Sequence, residues 1–241
     1  MEHKLSIFFT IAVAASSTMA QSAFEGAYAQ IATGYQNTYI EGVRASNIDG
    51  DGAYSMIAPA QNYDKAPLMV GFGYNFSITS QFLLGLGAEY QTVSSISKTF
   101  TFIVPEGCTG QCGGAQYKTS NQYSILVALG YEIDKNRLAY FKAGYSGQSL
   151  QSTYKEGHAG DPANDTSFGL SIVSGYVFGA GYKHIITGRW YGFTEGNYYS
   201  YGRASLNNSL NNGAGKVPTT VSGYNPPSSA LNFLVGLGYQ F

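Results

Sequence analysis

The 241-residue chain has few charged residues and many aromatic and small ones. Charged side chains make up 11% of it, against about 25% in an ordinary soluble domain, whereas Tyr, Phe and Gly number 21, 14 and 31. A formal net charge of −1 without a basic run excludes nucleic acid as a partner, and the aromatic content excludes a disordered chain. Because Gly, Tyr, Ser and Thr are poor helix formers, the composition favours an all-β fold.

The amino terminus has the pattern of a secretory signal peptide over residues 1–20. Lys4 is followed by an apolar stretch, 5–15, and by small residues at Thr18 and Ala20, which predicts cleavage after Ala20. The apolar stretch is too short to cross a bilayer as a helix, so a membrane anchor is disfavoured. We expect the mature chain, residues 21–241, to form one domain outside the cytoplasm.

The mature sequence contains eight segments that alternate apolar residues with small or polar ones, as strands with two different faces do. They are 26–39, 67–78, 81–97, 119–133, 137–152, 170–186, 189–203 and 231–241. In 189–203 the faces are ambiguous, because Tyr191 and Phe193 have the same parity as Glu195.

The connections between these segments alternate strictly in length. The short ones lie at 79–80, 134–136 and 187–188, and the long ones at 40–66, 98–118, 153–169 and 204–229. The short gaps carry residues typical of tight hairpins. This alternation predicts an up-and-down meander with every long loop at one end and both termini at the other.

The small number of charged residues indicates whether the apolar face of the sheet is turned inward, as in a soluble barrel, or outward to lipid. A water-facing sheet needs many charged residues on its polar face, but here that face consists mostly of Gly, Ala, Ser, Asn and Gln. Such residues suit the narrow interior of a membrane barrel whose apolar face meets lipid. Aromatic residues near the strand ends predict two interfacial belts. They are Phe76, Phe82, Tyr131, Tyr140, Phe141, Tyr182, Trp190, Tyr191, Tyr239 and Phe241 near the short turns, and Tyr35, Tyr39, Tyr90, Tyr123, Tyr145, Tyr199 and Tyr201 near the long loops.

Two sequence features carry a resemblance to a known family. A small-residue motif recurs at 71–76, 85–90, 179–184 and 236–241, and the chain finishes in Phe241 with apolar residues at alternate positions before it: Phe233, Val235, Leu237 and Tyr239. The chain resembles the small, opacity-protein-like outer-membrane β-barrels of Gram-negative bacteria. The resemblance implies an eight-stranded antiparallel up-and-down transmembrane β-barrel, surrounded by outer-membrane lipid, whose final strand is recognised by the barrel-assembly machinery. We also expect a monomer without a cofactor.

A few charged residues share the inward parity of the predicted strands. They are Glu89, Glu132, Lys142, Lys183 and Glu195. Ionisable groups at membrane depth are costly unless they are paired or face water. Two interpretations remain open. The residues form a salt-bridge network that fills the lumen, or they line a gated pore or proton path.

Two further patterns concern the long loops. Cys108 and Cys112 lie in a Gly-rich segment, which predicts a small disulfide loop in an oxidising compartment. A metal site is disfavoured there because further ligands are absent nearby. The segment 47–54 places two aspartates at calcium-loop spacing but lacks the downstream acid, so it predicts a Gly-rich turn.

Function is expected to reside in the four long loops, because loops on a rigid scaffold commonly carry it. The leading prediction is a structural or surface-interaction barrel. The alternative is a small pore for water, protons or small solutes. A lipid-modifying enzyme comes third, since only His158 and His184 follow the predicted signal peptide and neither has a neighbouring Ser. We therefore predict no enzymatic activity.

Overall fold

The computed structural model shows an all-β chain. It describes residues 22–49, 52–105, 114–155, 166–206, 208–210 and 219–241. The strands are β1 (Gly26–Ile40), β2 (Val43–Asp49), β3 (Gly52–Ala58), β4 (Gln61–Lys65), β5 (Leu68–Ser77), β6 (Phe82–Gln91), β7 (Ser95–Ile96), β8 (Phe100–Thr101), β9 (Gly114–Asp134), β10 (Arg137–Lys155), β11 (Thr166–Thr187), β12 (Trp190–Tyr201), β13 (Asn208–Leu210), β14 (Thr219–Ser222) and β15 (Ser228–Gln240). In these ranges we find no helix with the length and apolar character needed to traverse a membrane.

Eight of the described strands close into an antiparallel barrel. Their order is β1, β5, β6, β9, β10, β11, β12 and β15, and β15 pairs with β1 to complete the ring. Short turns connect β5 to β6, β9 to β10 and β11 to β12, and they define what we call the turn end. The opposite end, which receives the long connections, is the loop end. Because Tyr28 pairs with Gln240, both ends of the described chain lie at the turn end, as predicted.

The strands are strongly staggered around the barrel. Paired residues lead from Gly26 once round the ring and back to β1 at Gln36, ten positions further along that strand. The intervening residues are Asn75, Gly85, Ala128, Lys142, Gly179, Asn197 and Asn232. Strand number and stagger together fix the tilt and diameter of a barrel, and at eight strands the interior is about wide enough for side chains alone. These residues therefore share one interior.

The two faces of the wall follow the predicted alternation. On β15, Phe233 and Val235 are exposed on the outside, whereas Asn232 and Leu234 are buried inside. The ambiguous segment is also settled, because Tyr191, Phe193 and Glu195 are all buried on the inner face of β12. An outer wall of exposed apolar side chains is the arrangement of a barrel whose surroundings are lipid.

The predicted aromatic belts need correction at four positions. Tyr140, Tyr191, Tyr199 and Tyr201 are buried in the interior and belong to neither belt. Tyrosine suits the barrel interior and the lipid headgroup region equally well, because its ring is apolar and its hydroxyl group is polar. Only the parity within the strand and the pairing with neighbours separate the two locations. The other belt residues for which exposure is high lie on the outer wall, as predicted: Phe76, Phe82, Tyr131, Phe141, Trp190 and Phe241 near the turn end, and Tyr35, Tyr39, Tyr90, Tyr123 and Tyr145 near the loop end.

The long connections are not the plain polar loops that the sequence predicts. Four of their segments, β13, β14, β2 and β3, form a second antiparallel sheet in that order. In addition, β4 pairs with β1, and β7 and β8 pair with β9. The barrel strands β9, β10 and β11 also extend beyond their predicted ends. Within the 47–54 segment, Asp49 pairs with Gly52, and residues 50–51, where the turn is predicted, lie outside the described residues.

The folded loop segments enclose a hydrophobic core at the loop end, which we call the loop-end cap. Its aromatic members include Phe100, Phe102, Tyr117 and Tyr224, whose rings contact one another. The Tyr224 hydroxyl donates a hydrogen bond to the Tyr117 oxygen over 2.7 Å. Burial raises the pKa of Tyr224 to about 12 and that of the nearby Tyr63 to about 12. The loop-end mouth of the barrel is therefore filled with packed, neutral aromatic side chains.

Candidate functional site

The centre of the lumen holds three of the predicted inward charges in direct contact. The Lys142 Nζ donates to both carboxylate oxygens of Glu89, over 2.7 and 2.9 Å, and to Oε1 of Glu195 over 2.5 Å. These residues come from β6, β10 and β12, and the tilt of the strands brings them to one level. All three side chains are largely buried. We call this arrangement the charge cluster.

Neutral side chains complete the hydrogen bonding of Glu195. The Tyr140 hydroxyl donates to its Oε2 over 2.6 Å, and the Asn197 amide donates to its Oε1 over 2.6 Å. The same Asn197 nitrogen lies 2.9 Å from Oδ1 of Asn232. A buried ion pair offsets its desolvation only when its remaining lone pairs are satisfied, and this carboxylate meets that condition.

The fourth central charge, Lys183, is held by aromatic rings. Its Nζ lies 4.2 Å from the ring centroid of Tyr28, 4.7 Å from that of Tyr191 and 5.5 Å from that of Tyr140. An ammonium within about 6 Å of a ring face is attracted by the ring quadrupole. We call these three rings the tyrosine cage. With two carboxylates and two ammonium groups, the formal charges at the centre of the lumen cancel.

The recurrent glycine motifs explain how the cage fits inside a narrow barrel. The Tyr28 ring lies against Gly73 and Gly87, where an added Cβ would come within 2.6 Å of its hydroxyl oxygen. In the same way the Tyr140 ring lies over Gly181 and the Tyr191 ring over Gly238. Gly73, Gly181 and Gly238 thus each leave room for a tyrosine from the adjacent strand, and Gly87 leaves room for the Tyr28 ring from two strands away. The motifs at 71–76, 85–90, 179–184 and 236–241 supply these positions.

Glu132 lies apart from the other inward-parity charges. It is half-exposed near the turn end, where its carboxylate accepts a hydrogen bond from the Ser22 hydroxyl. Of the five predicted inward charges, Glu89, Lys142 and Glu195 are in contact and Lys183 lies beside them. Glu132 is not part of this group.

Little free space remains around the charge cluster. A cavity of about 30 Å³ lies on its turn-end side, which is room for about two water molecules. Glu89, Lys142, Lys183 and Glu195 line one part of it, and Leu83 and Leu138 line another. On the loop-end side, buried glutamines fill the lumen, and Gln36 donates to Gln122 over 3.2 Å. The lumen is occupied by side chains at the centre and on both sides of it.

The sequence alone missed the neutral partners of the charges. The sequence pattern predicts Tyr140 and Tyr191 in an aromatic belt and predicts no role for Tyr28 or Asn197. The available signal was the set of inward glycines, because a run of glycines at alternate positions leaves space that some other residue must fill. Which residue fills it depends on the pairing of strands far apart in the sequence, such as β1 with β15.

The remaining predicted sites fall outside this cluster. Cys108, Cys112, His158 and the predicted signal peptide lie outside the described residues. His184 lies near the turn end, where its ring stacks on Tyr182. The carboxy-terminal residues of the predicted assembly signal lie on the outer wall, with Phe233, Val235, Leu237 and Phe241 exposed and Tyr239 half-buried.

No protein-family model matches this chain, and no curated protein matches it. Solved structures do. OprG of Pseudomonas aeruginosa, an outer membrane protein, matches with a TM-score of 0.58 at 15% identity, over 91% of this chain and 98% of its own. The outer membrane protease OmpT of Escherichia coli matches with a TM-score of 0.54 at 11% identity, over 94% of this chain and all of its own.

The chain has the fold of the outer-membrane β-barrels. At such low identity the likeness concerns the fold alone. The outer wall of this barrel adds a physical argument, because its exposed apolar side chains need a lipid environment. An even number of antiparallel strands, short turns at one end and long connections at the other are typical of bacterial outer-membrane proteins. Fold and wall together locate the protein in the outer membrane.

Proposed function

We propose that the protein is a closed outer-membrane barrel that serves as a scaffold for its folded loop end. In this proposal the barrel anchors the chain in lipid, and the function lies in contacts made by the loop segments with other surfaces. The observation that carries the proposal is Lys142 bound between Glu89 and Glu195 across the centre of the lumen.

Two features support a lumen without a continuous water path. The charge cluster links three strands on different sides of the barrel through hydrogen bonds of 2.5 to 2.9 Å, so it spans the interior. The loop-end cap adds a second obstruction of packed aromatic rings. Water or an ion would have to displace both.

Solute uptake by liposomes tests this proposal. Vesicles containing the wild-type protein should swell in an isosmotic solution of a small sugar or amino acid no faster than empty vesicles. The triple variant Glu89→Ala, Lys142→Ala, Glu195→Ala removes the charge cluster and shows how much of the closure depends on it. Swelling of wild-type vesicles at a porin-like rate would contradict the proposal and favour the alternative of a small pore.

The orientation belongs to the same proposal. We place the turn end in the periplasm and the loop end outside the cell, the usual orientation of barrels with short turns and long loops. An epitope tag at Asn208, which lies in the loop-end sheet, should be labelled on intact cells. A tag at Thr79, in a short turn between β5 and β6, should be labelled only after the cells are permeabilised. The opposite pattern would reverse the orientation.

The processing and assembly predictions also remain proposals. We propose cleavage after Ala20, a disulfide between Cys108 and Cys112, and recognition of the final strand by the barrel-assembly machinery. The outward row that ends in Phe241 supports the last of these. Deletion of Phe241 should lower the amount of folded protein in the outer membrane, and unchanged insertion would count against this signal.

An enzymatic role has little support. The matched protease shares only its fold with this chain. Of the residues that the structure describes, His184 is the one histidine, and it lies at the turn end with its ring on Tyr182 instead of beside a serine and an acid. We therefore propose a barrel without hydrolytic activity. Release of fatty acid from phospholipid, or cleavage of a casein substrate, by the purified protein would overturn this.

A further inference from the structure

The described chain begins with a short segment that enters the barrel. Residues 22–25 precede β1 at the turn end, and Phe24 is almost completely buried there. Its ring packs in a cluster with Leu83 and Leu138, with Ile185 against it. Phe24 lies outside any strand, so strand pairing does not account for its burial and other contacts must hold it.

The contacts of Phe24 place it directly over the central cavity. Leu83 and Leu138, its two apolar partners, both line that cavity. Asn75 lines it as well and donates its side-chain amide to the Phe24 carbonyl oxygen over 2.8 Å. The ring thus lies between the cavity and the turn end of the barrel.

Hydrogen bonds on both sides fix the segment in this position. The Ser22 hydroxyl accepts from the Phe24 backbone N–H over 3.1 Å and donates to Glu132. The Ser77 hydroxyl donates to the Glu25 carboxylate over 2.7 Å. Glu132, the inward-parity charge outside the charge cluster, therefore holds this segment through Ser22.

A glycine makes the reversal of the chain possible. Gly26 connects the segment to β1 with a φ of +111°, a conformation that residues with a side chain adopt only with strain. A Cβ at Gly26 would also come within 3.2 Å of the Phe241 carbonyl oxygen. The backbone conformation at Gly26 therefore lets the chain turn so that Phe24 points inward, while Ala23 stays exposed to the turn-end water.

We infer that residues 22–25, which precede β1, are a plug that closes the turn end of the lumen. The barrel then has two independent barriers in series on this side. The plug separates the cavity from the turn-end solution, and the charge cluster separates the cavity from the rest of the lumen. Removing the plug should admit water and small solutes as far as Lys142 and no further.

Cysteine labelling tests the plug. In a Cys108→Ser, Cys112→Ser background, Ala128→Cys places a thiol in the cavity, because Ala128 lines it and pairs with Lys142. The probe is a membrane-impermeant trimethylammonium methanethiosulfonate added to purified protein in detergent. Phe24→Ala should raise the labelling rate at least about tenfold, since the local barrier is then lost. Equal rates with and without Phe24→Ala would overturn the inference.

Matched variants separate the plug from a general loosening of the barrel. Phe76→Ala removes a phenylalanine from the outer wall near the same end and should leave the labelling rate unchanged. Phe24→Leu keeps an apolar side chain in the cavity mouth and should label like the parent. Folding is checked by the shift in gel mobility on heating. If Phe24→Ala does not fold by this test, Asn75→Ala is used in its place, because it removes the hydrogen bond to the Phe24 carbonyl oxygen and keeps the apolar contacts of Phe24. Faster labelling of Asn75→Ala supports the plug, and an unchanged rate opposes it.

A conductance measurement distinguishes this inference from the proposed function. Phe24→Ala barrels in planar bilayers should remain closed, because the charge cluster is intact. If they label rapidly and also conduct, the plug is supported and the closed-lumen proposal fails. If they neither label nor conduct, the closed lumen stands and the plug is wrong.

Discussion

The two halves of the lumen are filled by different chemistry. The half toward the turn end contains charges, tyrosine rings over glycines and a small cavity, and the half toward the loop end contains buried glutamines beneath the packed apolar and aromatic residues of the loop-end cap. In the first half each side chain has specific partners, and substitutions should act through an unpaired charge or a displaced ring. In the loop-end cap stability comes mainly from buried area, and substitutions there should act through lost contacts.

The lumen is also closed in two different ways, by the charge cluster at its centre and by the loop-end cap at its mouth. The charge cluster holds strands together through directional bonds within the membrane, where unpaired charges are expensive. The loop-end cap lies beyond the barrel strands that face lipid and resembles the core of a soluble protein. Closure at the centre should therefore depend on charge balance, and closure at the loop end should not.

The largest effect is expected from Lys142→Met. The substitution leaves Glu89 and Glu195 buried without their shared ammonium group, and breaking a buried pair in this way costs about 3–5 kcal/mol. The free energy of unfolding, measured by urea titration of refolded protein in detergent, should fall by that amount. The triple variant Glu89→Gln, Lys142→Met, Glu195→Gln removes all three charges and should recover most of the loss. A Lys142→Met barrel as stable as the wild type would contradict the central role of the cluster.

Truncation in the loop-end cap should come next. Tyr224→Ala removes a fully buried ring, and such a change costs about 3–5 kcal/mol when the site cannot collapse. The cost should appear as local opening of the cap, measured by hydrogen exchange of β9 near Tyr117, with little change near the turn end. Tyr224→Phe removes only the hydrogen bond to Tyr117 and should cost about 1 kcal/mol. Equal losses of protection in both halves would show that the halves are one cooperative unit.

The glycines beneath the tyrosine cage should be nearly as sensitive. A Cβ in Gly181→Ala or Gly238→Ala would overlap the ring of Tyr140 or Tyr191, and overpacking of this kind costs about 1–3 kcal/mol. Gly196→Ala is the matched control, because its Cβ would meet the edge of the Phe233 ring at an ordinary 3.4 Å. Thermal unfolding by circular dichroism should separate the two classes. Three equal melting temperatures would mean that the rings do not depend on these glycines.

Alkaline pH should weaken the loop-end cap before the rest of the barrel. The pKa of Tyr63 and of Tyr224 is raised to about 12 by burial, whereas in the unfolded chain it lies near 10. Between these values the unfolded state has lost protons that the folded state keeps, so stability falls as the pH rises through this window and is fully retained below pH 10. Cap opening, followed by hydrogen exchange, should steepen above about pH 10. The Tyr63→Phe, Tyr224→Phe variant should show a weaker dependence, and an identical one would refute this assignment.

The smallest effect is expected at the exposed ion pair of the turn end. Arg137 and Asp134 contact each other with about half of each side chain exposed, and solvent screens exposed pairs so that they contribute little to stability. Arg137→Ala should therefore leave the urea midpoint almost unchanged. A loss comparable with that of Lys142→Met would mean that burial does not distinguish the two sites.

The sequence predicts the wall of this barrel well and its contents poorly. The eight strands follow from an alternation that each segment carries on its own, as in 231–241, and so do their faces, except in 189–203, where Tyr191 and Phe193 share the parity of Glu195. The loop-end sheet could not be predicted, because its strands are short and lie among Gly, Pro and Asn residues that usually mark turns. The contacts of Tyr28 and Tyr191 could not be predicted either, since they depend on the stagger of strands that are far apart in the sequence. The inward charges could be identified by parity, but which of them meet is decided by the same stagger.

Single-channel recording of purified wild-type protein in a planar bilayer tests the account most directly. With Lys142 bound between Glu89 and Glu195 and the loop-end cap in place, we predict insertion without stable open steps at any moderate voltage. Reproducible open steps from the wild-type barrel, absent from a heat-denatured control, would contradict a closed lumen.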